Sequence, residues 1–329
     1  MQTKLQSMCP QPDLDDPGKH RWAVILAGGD GKRLLPLTRR ISGDDRPKQF
    51  CAILGGETLL DQTRRRVWRV VSPRRTLIFL TKSHERFYAD HMASFSPLFP
   101  LVQPYNRGTA IAIVYSLLKV RDLDRQAVVA FFPCDHHFAD DDALRDMVNS
   151  AFIAAESRPS PVVLLGIAPN SPEVEYGWIE PGVRLTGHAA VFRVRRFWEK
   201  PSFALACVLM ERGCFWNSFV MVGRIDSLLG LARRAVPDLV QSVESVHSTF
   251  FTGSEREALA DLYSGVRSSN FSEDVLSAYP GELAVLPANL GWSDLGETRR
   301  VLSVLERKGA RPEWAAEMPG YVTAQRAAG

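Results

Sequence analysis

The run Trp22-Ala23-Val24-Ile25-Leu26-Ala27 is apolar throughout and stops at Gly28-Gly29. A strand on a half-solvated sheet alternates apolar and polar residues. A run without alternation, bounded by glycine, suits a central parallel strand covered on both faces. Similar runs recur at 76–80, 127–132 and 162–167, with helix-compatible stretches at 58–70, 83–94, 109–121 and 141–157. That alternation has the spacing of βαβ units and predicts an α/β fold, a mostly parallel sheet with helices on both faces.

Past about residue 170 glycine and proline become frequent. Strand-like pieces follow at 191–198 and 219–223, and helical patterns at 202–212, 225–235, 255–263 and 297–307. No Gly/Ser-rich or Pro-rich linker separates the halves, and there is no internal repeat. The expected organisation is a flexible N-terminal tail (1–20), one domain over 21–300, and a C-terminal helix and tail (301–329). Within the domain, 21–165 and 166–300 form two halves.

The 329 residues are 45% hydrophobic, 23% charged and of net charge +3, which excludes a largely disordered chain or a dedicated nucleic-acid binder. The basic segment from Arg64 to Arg69 reads as a solvated helix face. Five scattered cysteines without a CxxC pair argue against a disulfide framework or zinc cluster. No run approaches the ~18 apolar residues of a membrane span, and the N-terminus lacks the apolar core of a secretory signal. A soluble cytoplasmic enzyme is expected.

Chemistry first appears in Leu26-Ala27-Gly28-Gly29-Asp30-Gly31-Lys32-Arg33. Three glycines after a buried strand let the backbone turn and offer N–H groups to an anion, and Lys32 and Arg33 add positive charge. Taken alone, the segment reads as a phosphate loop or as a plain tight turn. A dinucleotide fingerprint needs glycine where Leu34 stands, and a Walker loop needs Ser or Thr where Arg33 stands. Both fail.

The second segment, Arg46-Pro47-Lys48-Gln49-Phe50, follows about a dozen residues later. The pair GGxGxRLxPLT and PKQF resembles the sugar-1-phosphate nucleotidyltransferases, and the PKQF form is most like mannose-1-phosphate guanylyltransferases. Further segments match in order: Gln103–Ala110, Pro133-Cys134-Asp135-His136, Tyr176–Glu180 as a sugar loop, Phe197–Pro201, Trp216-Asn217-Ser218 and Gly291–Gly296. The resemblance covers Trp22 to about Arg300. Departures include Lys32, Leu35, Gln103 in place of Glu, Gly108 and Phe219, which fall around the base and sugar pockets and remove no charged group that the chemistry needs.

The resemblance implies a Rossmann-like, mostly parallel mixed sheet flanked by helices, of the glycosyltransferase-A-like kind, with a short C-terminal extension. It implies transfer of a nucleotidyl group, GMP foremost, from GTP or another NTP to mannose 1-phosphate or another hexose 1-phosphate. Mg²⁺ or Mn²⁺ would assist, held by Asp135 and Asp294. Arg33, Lys48, Asp135 and Lys200 would be catalytic. Leu26, Ala27, Gly28, Gly29, Gly31, Lys32, Arg33, Lys48, Arg107, Gly108 and Thr109 would bind the nucleotide. Gly177, Glu199, Lys200 and Asn217 would bind the sugar phosphate. No nucleic-acid or membrane partner is implied, and the resemblance is compatible with a homodimer. Two alternatives stay open: another NTP and sugar 1-phosphate pair, or a non-catalytic regulatory subunit that binds an NDP-sugar. The adjacent His136 and His137 read as structural, because neighbours at a strand end point to opposite sides. The chain is too short for a fused isomerase or long β-helix domain.

Overall fold

The computed structural model describes residues 18–90, 100–157, 161–188 and 190–315. Most of the two expected tails, and the end of the helix expected at 83–94, lie outside the described residues. A one-turn helix, Glu85–Tyr88, stands in that last region.

Among the described residues nine strands form one sheet: β1 (Arg21–Leu26), β2 (Thr76–Thr81), β3 (Leu101–Gln103), β4 (Val128–Pro133), β5 (Val162–Ile167), β6 (Gly177–Arg184), β7 (Phe192–Glu199), β8 (Phe215–Arg224) and β9 (Leu283–Ala288). Their order is β3-β2-β1-β4-β8-β5-β9-β7-β6. The parallel strands gather as β3-β2-β1-β4, with β5 and β9 as a second parallel pair. β8 enters antiparallel between β4 and β5 and also pairs with β6. The sheet is therefore mixed, with its all-parallel part in the first half of the chain.

Both faces are covered, which is why the strands lack polar alternation. α1 (Leu35–Ser42) and α2 (Leu59–Val67) precede α3 (Thr109–Leu123), which is buried from Ala110 to Val120. α4 (Asp141–Glu156) and α5 (Phe203–Glu211) follow, then α6 (Ile225–Ala235), α7 (Pro237–Ser245), α8 (Glu255–Gly265) and α9 (Thr298–Arg307). α3, α6, α7 and α8 share one apolar cluster with Trp22, Val24, Phe79 and Phe131. α4 and α5 share the opposite cluster with Ala23, Ile25, Phe132 and Trp178. Alternate residues of β1 thus feed opposite cores, each full-sized side chain contributing about 1.5–3 kcal/mol on burial.

A third, smaller cluster positions the site. Val301, Val304 and Leu305, one face of α9, pack on Leu34, Leu37, Leu54 and Leu59. The last described helix is thereby anchored to the segment that follows the glycine loop, and the expected 300/301 division falls inside it.

Two local readings change. The segment after Tyr176, expected as a loop, is strand β6, bulged at Glu180 and Pro181. Its Pro181 and Gly182 hide it from strand patterning. The basic segment is not a solvated face, since Arg64 and Arg66 are buried. Arg64 lies over Trp68 and binds Asp61; Arg65, Arg66 and Arg69 reach Asp141 and Asp142 at the α4 N-terminus. Those carboxylates also suit the positive end of the α4 dipole, so the arginines serve packing between helices.

Candidate active site

The C-terminal ends of β1 and β4 open into a cavity of about 280 Å³. Such strand ends are where open α/β sheets bind ligands. Ten of the expected site residues line it: Leu26, Gly28, Gly29, Gly108, Thr109, Asp135, Gly177, Glu199, Asn217 and Asp294.

At one end the glycine loop leaves β1 and enters the turn Lys32–Leu34 through Gly31. Among the described residues, the N–H groups of Gly28 to Gly31 have no acceptor. The loop's carbonyls, by contrast, are tied down. Gln49 Nε2 donates to the Ala27 and Gly29 carbonyls (3.1 and 2.6 Å), and Thr81 Oγ1 donates to the Gly28 carbonyl (2.9 Å). Fixed carbonyls and open N–H groups make a nest for an anion. Gln49 was not singled out from sequence; its place inside PKQF was the available signal.

Gly108 is required on two counts. Its φ is +90°, and a Cβ there would lie 2.2 Å from the Ser269 carbonyl oxygen. Gly108→Ala is expected to cost about 1–3 kcal/mol in a denaturant titration and to displace the wall from Asn106 to Thr109. An unchanged midpoint would contradict this packing. Arg107 turns elsewhere: its Nε donates to the Tyr263 carbonyl (3.1 Å), and it does not line the cavity.

Asp135 lies two residues beyond the end of β4 and lines the cavity, whereas Asp140 is the residue that caps α4. Asp294 comes from the segment after β9. Its Oδ1 accepts from Tyr176 Oη (2.8 Å), the Gly296 N–H (3.0 Å) and Arg300 Nη1 (2.8 Å). Burial pushes its carboxyl up, but Lys48 and Arg300 together with that N–H outweigh it and hold it below the usual range.

Lys48 is 7% exposed. Its Nζ donates to the Asp294 carbonyl (2.6 Å) and the Leu295 carbonyl (3.3 Å), and lies 3.4 Å from Asp135 Oδ2. It therefore stands behind the two carboxylates rather than in the cavity wall. Arg33 reaches in from the loop, 3.9 Å from Asp294 Oδ2 and bonded to Glu175. Lys32 points outward, 4.0 Å from Asp30, and Ala27 and Gly31 lie behind the lining.

Among the described residues no three His, Cys, Asp or Glu side chains cluster as a metal group. Two carboxylates at one cavity are nonetheless the donor set that Mg²⁺ or Mn²⁺ takes when substrate oxygens and water complete the shell. Asp135 and the Oδ2 side of Asp294 fit that requirement. His136 lines the cavity, where its Nδ1 accepts from Trp292 Nε1 (3.2 Å). Burial pushes it below its ordinary range, so it stands as a neutral wall group. His137 is turned into a backbone bridge with Ser293.

At the other end Gly177, Glu199 and Asn217 converge. A Cβ on Gly177 would lie 2.9 Å from Glu199 Oε2, so the missing side chain is what admits the carboxylate. Burial raises the Glu199 carboxyl to about 7. Lys200 is exposed, with φ +47°, and its N–H donates to the Tyr176 carbonyl. It does not line the cavity. Phe219, at φ +62°, does, and its N–H donates to Asn217 Oδ1 (3.0 Å).

Arg300 and Glu173 escaped sequence reasoning, which marks Tyr176 only as the start of the sugar loop. Arg300 is sandwiched between Asp294 and Glu173 (2.8 and 2.6 Å) and lies over the Tyr176 ring. These pairings span up to 127 residues of sequence, and no local pattern marks them.

Known proteins resemble this arrangement. The xanthan biosynthesis protein XanB of Xanthomonas campestris is 29% identical over 294 residues, covering 87% of this chain and 60% of that protein. A mannose-1-phosphate guanylyltransferase of Escherichia coli is 28% identical, covering 84% of this chain and 58% of its own. The chain thus spans about three fifths of the length of these curated relatives. A solved structure from Thermus thermophilus, described as a mannose-1-phosphate geranyltransferase, superposes with TM-score 0.75 at 29% identity, covering 89% of this chain and 80% of that one. The family model for nucleotidyl transferases matches residues 22–308, and the chain belongs to that family.

Proposed function

We propose that the chain transfers a nucleotidyl group, GMP in the first instance, from a nucleoside triphosphate to a hexose 1-phosphate, mannose 1-phosphate in the first instance. One observation carries the reading: a single cavity has open loop N–H groups at one end, hydroxyl-binding groups at the other and two carboxylates between. The name of the Escherichia coli relative supports the choice of substrates.

The chemistry is the attack of a sugar-phosphate oxygen on the α-phosphorus in line with the departing pyrophosphate. The attacking oxygen is already ionised at neutral pH, so no general base is needed. The work is positioning two anions and neutralising their charge. The Gly28–Gly31 N–H groups, with Arg33, take the outer phosphates, while Gly108 and Thr109 border the nucleoside. Glu199 accepts from a sugar hydroxyl and Asn217 Nδ2 donates to one. Lys200 reaches the sugar phosphate by a side-chain movement. A bound Mg²⁺, held by Asp135 and Asp294, supplies charge neutralisation at the phosphates.

The test is pyrophosphate release across four NTPs and a panel of hexose 1-phosphates with Mg²⁺. Turnover confined to GTP and mannose 1-phosphate supports the full reading. Another preferred pair keeps the reaction and moves the specificity to Gly108 and Phe219, both of which shape the cavity. No turnover with folded protein overturns the enzyme reading in favour of a regulatory subunit.

Glu199 adds a pH signature. Protonation turns one of the two acceptor oxygens into a donor and weakens the other, so KM for the sugar phosphate should rise as pH falls through about 7. Glu199→Gln should lose that dependence along with affinity. Stability runs the other way. The folded carboxyl holds its proton to about 7 and the unfolded one releases it near 4.5. The wild type therefore loses stability as pH rises across that window. Glu199→Gln should be more stable than wild type at pH 8 and equal at pH 4, read by thermal melts. Equal melts at pH 8 would refute the buried, raised carboxyl.

A further inference from the structure

A second pocket, of about 400 Å³, lies behind the wall formed by Tyr176 and Trp292. One side is α9, which presents Arg299, Arg300, Ser303 and Arg307, and the other is the segment Asn170-Ser171 with Glu173. Residues 299, 303 and 307 are four apart and share one helix face.

At the start of α9 the charge is placed against the helix dipole, whereas Arg307 in the last turn suits it. Arginines at the second and third positions of α9 meet its positive end, and no acidic residue lies in that first turn. Arg300 is compensated by Glu173 and Asp294. Among the described residues Arg299 reaches only Glu173, at 3.8 Å, and its side chain is 78% exposed. Arg307 donates its Nε to the Ser303 carbonyl.

An independent observation points the same way. Trp216 is 5% exposed and lines this pocket and not the central cavity. Among the described residues its indole N–H has no acceptor. An indole nitrogen only donates, so what this wall lacks is an acceptor. Three guanidiniums and serine hydroxyls lining the pocket, with an unmatched N–H buried in its wall, call for a compact, multiply charged oxyanion. Phosphate, with several terminal acceptor oxygens and a double charge, matches the forked donors of arginine.

We propose that this pocket is a second binding site for a phosphate group, carried by inorganic phosphate or by a phosphomonoester such as a hexose 6-phosphate. Arg299 and Arg307 grip it, with Ser303 between them. Arg300, nine-tenths buried, joins the site to the central cavity, because the same guanidinium holds Asp294.

The test is a tryptophan-fluorescence titration, since Trp216 and Trp292 both border the pocket. Inorganic phosphate and a hexose 6-phosphate are added separately to wild type and to the double variant Arg299→Ala, Arg307→Ala. Neither arginine belongs to the proposed active site, and matching melts show that the variant folds. Saturable signal in wild type, with half-saturation shifted upward about tenfold or more in the variant, is the expected result. Whichever compound binds more tightly identifies the source of the phosphate. Equal titrations in both proteins would place the phosphate in the central cavity alone and overturn the site, as would no signal with either compound. This readout needs no turnover, so its outcome is separate from that of the proposed reaction.

Discussion

Alanine at position 135 is expected to lower kcat by about a hundredfold to a thousandfold while leaving the fold intact, the scale of losing one preorganised electrostatic contact to the reacting charge. The reason lies in what Asp135 does not do. Its side chain is 27% exposed, faces the cavity, and does not cap α4. Its close neighbours are Lys48 at 3.4 Å and His136 at 3.7 Å. Lys48 keeps the Asp294 and Leu295 carbonyls as acceptors when the carboxylate goes, and the nearby Asp294 carboxylate still offsets its charge. Thermal melts of Asp135→Ala should therefore stay close to wild type. Asp135→Asn, which keeps the shape and removes the charge, should be nearly as impaired as alanine. If Asp135→Asn retained activity within about tenfold of wild type, the carboxylate would be a wall group and the charge-neutralising role would fall.

The parts of this chain that were legible are those whose physics is local. β1, β2, β4 and β5 announce themselves because a strand buried on both faces must be apolar throughout. α4 is announced by Asp140, which accepts from the Ala143 N–H as an N-cap should. β3 is only three residues long, and β6 carries Pro181 and Gly182, so neither offers a pattern to read. β9 is apolar, but it lies between turn-rich segments where periodicity gives no clear period. The same division runs through the candidate site. The glycine loop and Asp135 could be placed from their position after buried strands. Arg300 could not, since its meaning comes from Glu173 and Asp294, brought together only when α9 packs on Leu34 and Leu59. Gln49 likewise acts on carbonyls about twenty residues away, and its role appears only once the glycine loop is folded over it.

Lys48 is where sequence and structure assign different tasks, and its variants decide between them. By resemblance the lysine lies over the triphosphate. In the folded chain its ammonium is engaged by two carbonyls and a carboxylate, which matches its three donors. To touch a phosphate it must release one partner, and Asp135, the longest of the three contacts, is the one to yield. Lys48→Met is expected to lower kcat by about a hundredfold or more. It should also cost about 1–3 kcal/mol of stability, because the Asp294 and Leu295 carbonyls are left buried without a donor. The informative variant is the double one. If Lys48 and Asp135 act as a unit that exchanges partners when the triphosphate arrives, Lys48→Met combined with Asp135→Asn should be no slower than the worse single variant, within a few-fold. Independent roles would instead multiply the two losses. A multiplicative result, with KM for the NTP raised in Lys48→Met alone, would detach the lysine from Asp135 and make it a phosphate contact in its own right.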